Sequence, residues 1–243
     1  MSNTTANFAS LGGASLTNAS RDLLRSERNK SHLHLDPYYV DVDVWDPYTL
    51  GETSRKIPIF LPHELLATVY ESGAGDAVFG ITDPKAIVTF WHPVRSSTWG
   101  KEHPAFELPQ LLPWTIPIRV HGDDAVMKSL VNTKLIIVSL HAELCRLPSI
   151  KSRLLSFVLK DKQMVSGKSL RQVFVVFAWS LRVAFGRYWP SFDHTGAPLP
   201  EAHGKSEGAA RFRKRGQQLA GPFRFAYVGS LGDQAWHDKV LAV

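Results

Sequence analysis

The stretch Ser169 to Trp189 (SLRQVFVVFAWSLRVAFGRYW) constrains the fold of this chain more than any other. It has no proline, and Val173, Phe174, Val176, Phe177, Trp179, Leu181, Val183, Phe185 and Trp189 put apolar side chains on nearly every side of a helix. Its β-branched residues would also suit a strand, but so long an uninterrupted run exceeds strand length. A helix that is apolar all round cannot lie on a surface, so it has to be enclosed. Pro190 ends it.

The segments around it supply a sheet. Three β-type runs precede the helix, Ile116 to Val120, Leu135 to Leu140 and Leu154 to Leu159, with Asn132-Thr133 and Pro148-Ser149 as turn signals between them. One run follows, Phe223 to Val228, and then a short helix-like piece, Gln234 to Val243. The order β-β-β-α-β-α predicts an α/β protein. Three strands form an antiparallel meander, and the buried helix crosses over to lay the fourth strand beside the first. That is the opening half of a ribonuclease H-like core, incomplete at its C-terminal end.

Ahead of this core the chain reads as a small mixed region. Tyr38 to Trp45 (YYVDVDVW) alternates as a half-exposed strand does, and Ile57 to Leu61 is a second short β run. Pro62 and Asp83-Pro84 each open a helix, the first carrying Leu65, Leu66, Val69 and Tyr70, the second Ile87, Val88, Phe90 and Trp91. The prolines clustered up to Pro113 place the boundary near residues 107–113. The expected division is a disordered tail over residues 1–34, an α+β region over 35–110, and the ribonuclease H-like core over 111–243. The tail lacks an apolar leader, and the longest apolar run, Val173 to Trp179, is far shorter than the ~20 residues that span a bilayer. An intracellular, non-membrane protein is expected. Cys145 is the lone cysteine, which excludes an intrachain disulfide and a multi-thiolate zinc site. The net charge of +6 permits a polyanionic partner.

The chemistry is concentrated where two β runs close on acids. LLPWTIPIRVHGDD ends in Asp123 and Asp124, and GPFRFAYVGSLGD ends in Asp233. If the first and fourth strands are neighbours, Asp123 and Asp233 meet. Short, rigid carboxylates at strand ends suit Mg or Mn, hard ions that activate and steady oxygens in phosphoryl transfer. Gly122 and Gly232 would let backbone or substrate approach closely. His121 shares a strand face with Asp123 and is a candidate to orient a carboxylate or touch substrate, with Asp124 as the adjacent acid. The competing reading is that both Gly-Asp pairs are turn signals. Arg211 to Arg215 (RFRKR) is the densest basic cluster. In a loop before the fourth strand, Arg211, Arg213, Lys214 and Arg215 would flank the acids and contact phosphate, or would serve as a nuclear-localisation signal. Among the histidines, His32 and His34 have the one close spacing, while His63, His92, His103, His194 and His203 read as ordinary surface residues.

Several short blocks together resemble a known group. They are Leu61-Pro62-His63-Glu64-Leu65-Leu66, Trp91, Trp99 to Pro104, Ile116-Pro117 leading to His121-Gly122-Asp123, Ala178-Trp179-Ser180, and Gly232-Asp233. Over about residues 56–238 the chain resembles a family of uncharacterised, transposon-derived proteins abundant in dinoflagellate genomes, which is placed with DDE/D-type ribonuclease H-like transposases. The resemblance implies that Asp123 and Asp233 correspond to the first two metal-binding acids, and that the third lies on a later helix that this chain is expected to lack. It departs at Asp124, where the family tends to have glycine, and at Leu140 and Gln234, where aromatics are usual. The implied function is a transposase-derived, nuclear protein keeping part of a metal and nucleic-acid site, with DNA as the partner and at most a relic of metal-dependent nuclease or polynucleotidyl-transferase activity. The alternative is a nucleic-acid-binding or interaction protein of the same fold whose Gly-Asp pairs only make turns.

Overall fold

The alternation in YYVDVDVW produces β1 (Tyr38–Asp46), in which Val40, Val42 and Val44 are buried and Tyr39, Asp41 and Trp45 face outward. It pairs antiparallel along its whole length with β2 (Gly51–Ile59), from Tyr38 opposite Ile59 to Asp46 opposite Gly51. The computed structural model describes residues 35–81, 83–127, 133–201, 207–233 and 236–238. The tail with His32 and His34, and Asn132 at the expected first turn, lie outside the described residues.

Three helices follow the hairpin: α1 (Pro62–Glu71), α2 (Gly75–Phe79) and α3 (Pro84–Ser96). Proline opens α1 and α3, where its missing N–H has no partner to lose, and the Asp83 carboxylate caps α3 by accepting from the Ala86 N–H at 3.0 Å. Two short 3-10 turns, Pro104–Phe106 and Pro109–Trp114, lead into the main sheet.

That sheet contains β3 (Thr115–Met127), β4 (Thr133–Ala142), β5 (Leu154–Lys160) and β6 (Arg224–Leu231) in the spatial order β5-β4-β3-β6. β3 and β5 run antiparallel to β4, whereas β6 is parallel to β3. A helical turn, α4 (Ser149–Ser152), joins β4 to β5. The sheet is therefore mixed, and the strand that follows the long helix does lie beside the first.

The long helix is α5 (Ser169–Gly186). It stops before Trp189 because Arg187 adopts a left-handed conformation, φ 72°, which ends the ladder. Its apolar character is used on several sides but the helix is not fully enclosed: Val175 is 50% exposed, and Phe174, Leu181 and Phe185 are only partly buried. Val173, Val176, Phe177 and Ala184 are buried, and Phe157 of β5 meets Phe174 and Phe177 edge-on. On another side the Gln172 amide holds β1, accepting from the Asp43 N–H and donating to its carboxylate, both at 2.9 Å. One apolar cluster runs from Val40 and Leu66 through Trp91, Ile118 and Val138 to Phe177 and Trp236, so the N-terminal region and the sheet share a core. Among the described residues no helix is long and apolar enough to cross a membrane.

Candidate functional site

The register of β3 and β6 brings the two Gly-Asp pairs together. Their last paired residues are His121 and Leu231, and a β-carbon built on Gly232 would lie 2.9 Å from the Gly122 carbonyl oxygen. Asp123 and Asp233 thus follow two abutting glycines, although they are far apart in the chain. The strand does not end on its acids, however. β3 continues to Met127, with Asp123 opposite Ile137 and Asp124 opposite Ile136 of β4. Asp233 follows the end of β6. Its Oδ1 accepts from the Trp236 N–H at 2.8 Å and its carbonyl from the His237 N–H at 3.1 Å, so it caps the turn that starts the last described segment.

The glycines do not leave room for a substrate. The indole of Trp236, 1% exposed, lies across both of them. A β-carbon on Gly122 would fall 2.0 Å from its Cε2, and one on Gly232 would fall 2.2 Å from its Cδ1. The indole N–H donates to Ser230 Oγ at 3.2 Å. The close approach expected at Gly122 and Gly232 is real, but the chain's own tryptophan makes it.

Because side chains alternate along a strand, Asp123 and Asp124 face opposite sides of the sheet. Asp124 lies on the Gly122 and Trp236 side, where its carboxylate, 8% exposed, pairs with the Lys134 ammonium at 2.5 Å. The Asp124 hydrogen bond holds the Lys134 pKa above the usual lysine value, and Asp161 and Asp233 add to the effect. Lys134 therefore supplies a positive charge within the field of three carboxylates. Asp123 points to the other side, is exposed, and shares that face with His121. Burial and the nearby Arg153 push His121 below the usual histidine value, against the pull of Asp123. His141, lowered chiefly by burial, is its diagonal neighbour, with its Nδ1 3.2 Å from Ser152 Oγ. The two expected metal acids are thus neighbours by backbone, but it is Asp124 that shares a counter-charge with Asp233. Among the described residues no three His, Cys, Asp or Glu side chains converge as a metal-binding group. Asp124 is neutralised by Lys134 and Asp233 accepts from the Trp236 N–H, so neither is arranged with Asp123 around a pair of ions.

The basic cluster does not flank this site. Arg211, Arg213 and Lys214 lie on a helix, α6 (Glu207–Lys214), and Arg215 follows it, where a loop had been expected. Arg211 makes a two-pronged ion pair with Glu64, at 2.6 and 3.0 Å, and rests on the Tyr38 ring. Lys214 bonds Glu71 at 3.3 Å and sits 4.4 Å over the Trp189 ring. Arg215 folds back on Phe212, its Nε donating to the Phe212 carbonyl. Arg213 and Arg215 are exposed. Trp189 lies just beyond the C-terminal end of α5, while Trp236 touches Phe174 near the other end, at 6.2 Å. The cations and the acids occupy opposite ends of the helix because α6 is drawn to the acidic residues of α1.

No family model matches the chain, and neither a curated protein nor a solved structure is similar to it.

His63, read from the sequence as a surface residue, is 1% exposed, wedged edge-on between Trp179 and Trp189. Its backbone N–H donates to Ser180 Oγ at 3.0 Å and its ring Nδ1 lies 2.7 Å from the same oxygen, 117 positions away. A Ser180 hydroxyl that donates to Nδ1 pairs with the neutral ring in the tautomer protonated at Nε2. Burial, helped by Arg211, lowers the pKa to about 3. No spacing within the sequence marks this contact. The hint was that LPHELL and AWS both stood out as blocks.

Proposed function

We propose that the chain is a transposase-derived protein with a ribonuclease H-like core, in which the acidic site persists as a charge-compensated remnant that binds a divalent ion and nucleic acid weakly and does not cut. The observation that carries this reading is the abutment of Gly122, which precedes Asp123 on β3, with Gly232, which precedes Asp233 just after the parallel strand β6, in a β5-β4-β3-β6 sheet. Asp123 and Asp233 are the proposed ligands, and Mg or Mn is the ion class because these donors are hard oxygens. Lys134 takes over much of the charge compensation, which is why a catalytic pair of ions is not part of the proposal. DNA is the proposed polyanion, with the exposed Arg213 and Arg215 as its phosphate contacts.

Thermal unfolding in Mg or Mn tests it. Metal at tenfold excess over Kd should stabilise the protein by about 1.4 kcal/mol, and Asp123→Asn with Asp233→Asn should abolish the gain. Removing the competing ammonium in Lys134→Met should enlarge it. No shift at millimolar metal in either background overturns the metal site. A second reading, an interaction protein whose acids are structural, is favoured by the Asp233 cap under Trp236. It predicts that Asp233→Asn, which keeps a capping side chain, is neutral with or without metal, while Asp233→Ala costs about 1 kcal/mol.

A further inference from the structure

We propose that the groove between α5 and β6 is a binding site for a small, elongated apolar molecule bearing one acidic group, of the medium-chain fatty acid type. The groove encloses about 740 Å³, within the roughly 300–1,000 Å³ typical of small-molecule sites. Phe174, Phe177, Leu181 and Phe185 form one wall along α5, and Val120 and Ala226 of the sheet form the floor. From Phe174 to Phe185 the helix advances about 16 Å, roughly the length of an extended chain of a dozen carbons. Trp236 closes one end, fixed by its contacts with Gly122 and Gly232.

The polar groups decide the class of ligand. Most of those at the groove are already engaged. His103 Nδ1 accepts from the Ala105 N–H at 3.1 Å, so its Nε2 carries the proton and donates to the Tyr227 carbonyl at 2.9 Å. Ser230 Oγ accepts from the Trp236 indole. Arg182 differs: it is exposed at the rim, and among the described residues no acid pairs with it. An apolar slot whose mouth carries an exposed cation with no acid partner among the described residues is complementary to an apolar body with one negative charge. An added β-strand is disfavoured. The edge of β6 it would need is occupied where His103 takes the Tyr227 carbonyl, and Arg224 ties the same segment down by donating to the Ala105 carbonyl at 2.9 Å. The groove is on the face opposite Asp123 and adjoins Asp233 only through Trp236; its test uses no metal, so it succeeds or fails apart from the metal reading.

Calorimetric titration with dodecanoate and with dodecyltrimethylammonium, both below their micellar concentrations, tests the proposal. The wild type should bind dodecanoate saturably at one site and at least tenfold more tightly than the ammonium amphiphile. Arg182→Glu, an exposed change that leaves the walls intact, should invert that preference. Ala178→Trp should block both probes while melting cooperatively; if that variant does not fold, the Arg182→Glu inversion carries the test alone. Absence of saturable dodecanoate binding, equal affinity for the two head groups, or a preference unchanged by Arg182→Glu overturns the proposal. A wild type that binds neither probe and elutes as a dimer on gel filtration assigns the groove to a second copy of the chain and likewise overturns it.

Discussion

Lowering the pH should unfold this protein through His63. A free histidine titrates near 6.5, whereas the His63 ring in the folded chain titrates at about 3. Between those values the unfolded chain holds a proton that the folded chain does not, so stability falls as pH falls, by about 1.4 kcal/mol per unit at full slope. From pH 7 to pH 5 the loss comes to about 2 kcal/mol, and it levels off as pH approaches 3, where the folded ring also protonates. The physical cause is that the protonated ring would be a charge buried in an apolar clamp of two tryptophans, with the Arg211 cation adding repulsion. Urea unfolding at pH 7, 6 and 5 measures this directly. His63→Gln should be less stable than wild type at pH 7, by about 1–3 kcal/mol for the disturbed hydrogen bonds, but should lose about 2 kcal/mol less between pH 7 and pH 5. His121 and His141 are also lowered and act in the same direction, so the His121→Gln, His141→Gln double variant serves as the control and should retain the His63 part of the slope. An unchanged pH slope in His63→Gln would refute the reasoning.

Two further tests address the packing behind the candidate site. Gly122→Ala should cost about 1–3 kcal/mol, because its new methyl enters the Trp236 ring; in a Trp236→Ala background the same change should cost almost nothing, and additive costs would show that the two do not touch. Glu64→Gln should destabilise by about 3 kcal/mol, since it strips the charge partner from the mostly buried Arg211, while Glu64→Leu with Arg211→Met should recover most of that loss; chemical denaturation of the set checks both values.

Much of the fold was legible because local pattern forces it. The alternation of YYVDVDVW, the proline-opened helices and the all-apolar run before Pro190 each allow one kind of element, and their order placed β6 beside β3. The candidate site was legible only as far as the backbone: adjoining strands bring Gly122 and Gly232 together whatever the side chains do. What filled the space was not legible. Whether Asp123 or Asp124 meets a counter-charge depends on which face carries Lys134, itself a diagonal neighbour across the β3–β4 pair. The RFRKR cluster carries the same sequence whether it meets phosphate or Glu64, and only the docking of α6 on α1 decided between them.

The sequence by itself determined most of the helices and strands, because those rest on spacing between near neighbours, though it placed a loop where α6 forms and full enclosure where α5 leaves Val175 exposed. The tertiary structure alone decided which charges are spent internally. An ion pair such as Glu64 with Arg211, a buried ring such as His63 on Ser180, and an indole laid over two glycines each join residues that are distant in the chain, and packing brings them together without leaving a periodic mark in the sequence.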